Sequence, residues 1–192
     1  MRKLLSGALL LAVVVPSLAQ AQQRRGAQAG GARHEFGVDL GAYYAKPENV
    51  DGGIEIGTPG LPDPLFAPVD LRVGFVTARN LMWEGRLNFA FSSVGGDSRY
   101  GLQPGVNVLY APAPGTHRSG MYLTGGGSIL LGDDGTDSGT QLAVNGGVGW
   151  RKPWGSAAWR YEIGFRYAFE STDLGLPSTV AIGGRIGVSL WR

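Results

Sequence analysis

The chain has 192 residues, with 33 glycines, 11 prolines and no cysteine, and 43% of it is hydrophobic against 17% charged. That is enough for one folded domain, and the absence of cysteine excludes a disulfide framework, a thiolate metal site and a cysteine nucleophile. The formal charge of only +2 gives no support to a nucleic-acid-binding role.

Residues 1–21 read as a secretory leader. Arg2 and Lys3 precede an apolar run over 4–15, Pro16-Ser17 breaks it, and Ala19-Gln20-Ala21 is a small-x-small cleavage site. The run is shorter than the ~20 residues that span a bilayer as a helix. Removing the leader takes away Arg2 and Lys3 and leaves fifteen basic against fifteen acidic residues. Residues 22–33, with Arg24, Arg25 and Arg33 among Gln, Ala and Gly, cannot bury a core and read as a flexible tail.

From His34 onward the apolar residues fall at every second position, which sets them on one face of a strand. The pattern begins with Phe36, Val38, Leu40, Ala42 and Tyr44, and recurs over 69–75, 81–91, 100–110, 121–131 and 142–150. Over 157–170 one parity reads Trp159, Tyr161, Ile163, Phe165, Tyr167, Phe169 and the other Ala158, Arg160, Glu162, Gly164, Arg166, Ala168, Glu170. No helix accommodates that spacing. A last strand covers 180–190. Eight strands result, most near the ~9–11 residues with which a tilted strand crosses a membrane. Connections alternate between polar, Gly- or Asp-rich segments (46–68, 93–99, 132–139, 170–178) and others (77–80, 111–119, 151–156). The first, rich in proline and glycine, reads as a mobile loop.

Size decides which parity faces outward. The apolar parity carries most of the aromatic rings, and the other is thinned by Gly37, Gly41, Gly74, Gly101, Gly105, Gly147, Gly149 and Gly164. Eight strands enclose an interior just wide enough for side chains, so the small residues and charges belong inside. The inward parity then carries Glu35, Asp39, Asp70, Glu84 and Glu162 against Arg72, Arg86, Arg160, Arg166 and Arg185. Five against five predicts an ion-pair network that plugs the lumen, because an unpaired buried charge is costly. The outward rings fall in two sets: Phe36, Phe75, Trp83, Tyr110, Trp150 and Trp159 toward the terminal end, and Tyr44, Phe91, Tyr100, Tyr167 and Phe169 toward the other. Two aromatic girdles are what the two interfaces of a bilayer select. The expected fold is therefore all-β, a closed eight-stranded antiparallel up-and-down transmembrane β-barrel over 34–192.

This pattern resembles the eight-stranded outer-membrane β-barrel family of the OmpA transmembrane domain and OmpX type. Such barrels carry alternating apolar residues ending in an aromatic in the last strand. Val180, Ile182, Ile186, Val188 and Leu190 fit, whereas Trp191-Arg192 leaves the aromatic penultimate and off parity. The resemblance implies a Gram-negative outer membrane, periplasmic termini and tail, and outer-membrane lipid, lipopolysaccharide and the assembly machinery as partners. It also implies loops able to meet an extracellular ligand. On that topology the outer loops hold two basic and ten acidic residues, and the periplasmic side, Arg151 included, eight basic and no acidic ones.

No enzyme is expected. His34 and His117 are the only histidines, and no His-x-Ser or Gly-x-Ser-x-Gly pattern occurs. No cofactor is expected either. The densest acidic cluster, Asp133, Asp134 and Asp137, lacks the twelve-residue Ca²⁺-loop spacing and its bidentate Glu and reads as a solvated turn, with a divalent cation as the alternative. Gly125 to Gly127 and Gly146-Gly147 should face each other across two strands, under Ile163 and Phe165. The functional expectation is a structural or surface-interaction role in the cell envelope. The alternative is a narrow or gated pore for small solutes.

Overall fold

The structure is a computed structural model that describes residues 33–57, 69–94, 97–113, 117–133 and 138–192. The leader expected over 1–21 and the tail expected over 22–33, apart from Arg33, lie outside these residues. The strands are β1 (His34–Pro47), β2 (Gly53–Ile56), β3 (Val69–Ala78), β4 (Leu81–Val94), β5 (Asp97–Tyr110), β6 (Gly120–Asp133), β7 (Ser138–Trp154), β8 (Ala157–Ala168) and β9 (Thr179–Trp191). Among the described residues no helix is long and apolar enough to cross a membrane.

Each strand pairs antiparallel with the next around the ring β1, β3, β4, β5, β6, β7, β8, β9, and β1 pairs with β9 from Glu35↔Trp191 to Pro47↔Thr179. The sheet is thus a closed eight-stranded antiparallel barrel. Closure matters energetically because it gives the backbone N–H and C=O groups of every strand a neighbour and leaves no long edge. The period-two pattern fixes which face is which. Phe36, Val38 and Leu40 on β1 point outward and are about half exposed, whereas Glu35 and Asp39 of the alternate parity are buried.

Two features depart from the sequence expectation. The segment 46–68 contains a ninth strand: β2 pairs with β1 from Ala42↔Ile56 to Ala45↔Gly53, turning at Asn49, whose φ is 61°. Asn is one of the few non-glycine residues that tolerate this left-handed backbone. β2 and β3 lie end to end along the same edge of β1, since Gly57 donates to the Gly41 carbonyl at 2.7 Å while Val69 pairs with Leu40. The rest of that segment, 58–68, lies outside the described residues. The second departure is β7, which runs through Trp154 with only Gly155 and Ser156 turning into β8. Arg151, expected in a connection, is therefore a strand residue of inward parity.

Glycines permit the close approaches a narrow barrel needs. A Cβ on Gly37 would collide with the Arg72 guanidinium, and one on Gly149 with the Tyr122 ring. Gly125 and Gly146 face each other across β6 and β7, and a Cβ on Gly146 would meet the Phe165 ring at 3.0 Å. At the loop end the β8–β9 connection folds onto β7, with Ser171 Oγ donating to the Thr140 carbonyl at 2.8 Å. It also meets the β1–β2 turn, where Ser178 Oγ donates to Glu48 at 2.6 Å.

Candidate functional site

The inward faces converge on a connected ion-pair network across the terminal and middle parts of the lumen. Arg72 on β3 meets Glu35 at 2.6 Å and Asp39 at 2.7 Å on β1, and Glu84 on β4 at 3.5 Å. Arg160 on β8 pairs with Glu84 and with Glu162. Arg86 reaches Asp39 and Asp70 at 3.0 Å each and Glu162 at 3.7 Å, and Arg185 on β9 reaches Glu162 at 3.1 Å and Asp70 at 3.8 Å. β4 and β8 are opposite walls of the eight-membered ring. The Arg160–Glu84 and Arg86–Glu162 contacts therefore span its diameter. Glu35 and Glu84 are fully buried. Charges removed from water to this extent are held only by such direct partners.

The network differs in membership from the set the sequence suggests. Arg166 on β8 points inward and is 3% exposed, yet it makes none of these ion pairs. The fifth arginine is Arg151, whose guanidinium meets Glu35 at 2.6 Å and donates to the His117 carbonyl at 2.8 Å. Its inward parity, one step past Trp150 on β7, was the available signal. The early strand boundary hid it.

Aromatic residues of inward parity complete the plug, and sequence reasoning missed them. The Tyr122 ring lies between two guanidinium groups, 4.8 Å from that of Arg151 and 4.9 Å from that of Arg160, in the electron-rich position that cations favour. Its hydroxyl donates to Glu162 at 3.0 Å and accepts from Arg160. Trp191, off parity for an outward aromatic, is buried inside with its ring 5.3 Å from Arg151. At the terminal end His117 lies 3.0 Å through Nε2 from the Ala78 carbonyl. Burial holds the His117 imidazole below its ordinary pKa, and the nearby Arg151 charge acts in the same direction.

Toward the loop end amides join the charged lining. Asn88, Gln103, Asn107 and Asn145, with Ser128 and Arg166, surround a cavity of about 30 Å³ that Asp70, Arg86 and Arg185 also border. Asn145 donates to Asn107 Oδ1 at 3.1 Å, and Gln103 donates to Ser128 at 3.2 Å.

Outside, Phe36, Tyr44, Trp83, Phe91, Tyr110, Trp150, Trp159 and Phe169 are exposed. Tyr100 and Tyr167 are half-buried, Tyr167 through an edge-to-face contact with Phe169 at 5.0 Å. Phe75 pairs with Trp83 beside the β3–β4 turn, and Phe91 with Tyr100 at the opposite end. Asp133 ends β6, whereas Asp134 and Asp137 lie outside the described residues.

No family model matches this chain, and no curated protein matches it. Solved structures similar to it include Neisserial surface protein A, at 13% identity over 84% of this chain and 99% of that one with a TM-score of 0.49. The outer membrane protein OprG of Pseudomonas aeruginosa matches at 13% over 86% and 98% with a TM-score of 0.46. Ail, the attachment invasion locus protein of Yersinia pestis, matches at 10% over 83% and 97% with a TM-score of 0.44. At these values the fold rests on the strand pairing set out above.

Proposed function

We propose that this chain is an integral outer-membrane β-barrel with a structural or surface-interaction role, its lumen closed by Arg/Glu/Asp ion pairs. One observation carries the reading: a closed barrel turns aromatic and aliphatic side chains outward all round and gathers its buried charges inside. A water-soluble eight-stranded barrel has the reverse polarity, because its apolar face must be the buried one. In this reading both termini are periplasmic. The two ends of the barrel, each ringed by aromatics, sit at the two interfaces, with lipid and lipopolysaccharide around the wall. The acidic loops beyond the outer ring are the surface open to an extracellular ligand, and the assembly machinery inserts the chain.

Tryptophan fluorescence of the refolded chain in vesicles of brominated lipid tests this. Trp83, Trp150 and Trp159 point outward, so strong quenching relative to ordinary lipid is expected, together with a heat-modifiable gel band. A folded protein whose emission ignores the bromines would overturn the reading.

A further inference from the structure

The ion-pair network is closed on its own terms: Arg72, Arg86, Arg151, Arg160 and Arg185 balance Glu35, Asp39, Asp70, Glu84 and Glu162. Arg166 is a sixth buried arginine. Neither of its terminal nitrogens meets a hydrogen-bond acceptor of the described protein. Glu55 on β2, Tyr43 on β1 and Asp70 on β3 act on it through space. A buried guanidinium whose two terminal nitrogens lack acceptors is rare, because hydrogen bonds lost on leaving water are not replaced there.

What surrounds Arg166 is a built polar chamber. It lines the cavity of about 30 Å³ together with Asn107, Asn145, Arg86, Arg185 and one carboxylate, Asp70, which Arg86 and Arg185 both engage. The Asn107 amide nitrogen is also without an acceptor, so two sets of N–H donors are available there. A space of this size takes about two waters, which is the bulk of a small anion. We propose that the loop half of the lumen is a binding site for a small monovalent oxyanion of carboxylate type. Arg166 would grip it with its two terminal N–H groups, the geometry in which guanidinium and carboxylate match best, and the Asn107 amide would close over it.

Asn145 provides the decisive variant, because it lies directly opposite Arg166 in the β7–β8 register. Asn145→Asp sets a carboxylate beside the guanidinium and supplies from the protein what the anion would supply. The probe is sodium formate, exchanged at constant ionic strength for sodium gluconate, too bulky for the chamber, with the chain refolded in a non-ionic, chloride-free detergent. The readouts are ¹⁵N resonances of the arginine side chains and the thermal unfolding midpoint. For the unaltered protein, formate should shift the Arg166 resonance along a saturating curve and raise the midpoint, as a ligand of the folded state must. Both effects should vanish in Asn145→Asp, and the resonance should be absent in Arg166→Lys. A shift linear in formate, or a saturable one that persists in Asn145→Asp, would overturn the proposal and leave water as the occupant.

Discussion

Glu84 is one of the joints of the network. Fully buried, it takes Arg160 from the opposite wall and Arg72 from the neighbouring strand. Glu84→Gln keeps the volume and removes the charge, leaving two arginines short of a partner. Breaking a buried pair in this way costs about 3–5 kcal/mol, read as a lower urea midpoint in detergent. An unchanged midpoint would mean that water enters the lumen and screens the pair. His117 gives the pH dependence of the terminal end. Its pKa in the folded chain lies below the ordinary value, so the unfolded chain binds the extra proton first. Its contribution to stability is whole above about pH 6.5 and is lost as pH falls through the folded value. Between pH 7.5 and 5 the unfolding midpoint should fall more in the unaltered protein than in His117→Gln; equal slopes would contradict the assignment.

At the scale of elements, β2 carries its own test. Ile54 and Ile56 point outward, 81% and 56% exposed, beside Tyr44 and Ala42 of β1. If β2 continues the lipid-facing wall, Ile56→Lys, placed next to the middle of β1, should cost about 2–4 kcal/mol in bilayers. A change near zero would set β2 above the membrane. This strand also marks where the sequence stopped being legible. The eight long strands could be read from parity alone, because lipid outside and a packed lumen inside leave no freedom of register. Four residues of Gly-Ile-Glu-Ile among prolines and glycines carry too short an alternation to be recognised. The same limit hid Arg151 and Trp191: both obey the inward parity, and each lies one step beyond the last outward residue of the alternation as read, Trp150 and Leu190. Arg166, by contrast, has the right parity, and only three-dimensional distances separate it from the network.

For the molecule as a whole, stability and function rest on one arrangement, a closed wall around a charged interior. Its core in the ordinary sense is the ion-pair network together with Tyr122, Met82 and Leu109, all buried inside the ring. Because Arg160–Glu84 and Arg86–Glu162 link opposite walls, the middle of the lumen is crossed by side chains rather than lined by them. A pore would require those links to part. Beyond them, among the described residues, lies the chamber around Arg166. The most direct test is single-channel recording of the chain without residues 1–21, refolded into a planar bilayer and shown folded by heat-modifiable mobility. The account predicts silence, with steps emerging only when Glu84 or Arg160 is replaced. Reproducible steps in the unaltered protein would contradict it and make the lumen charges a selectivity filter.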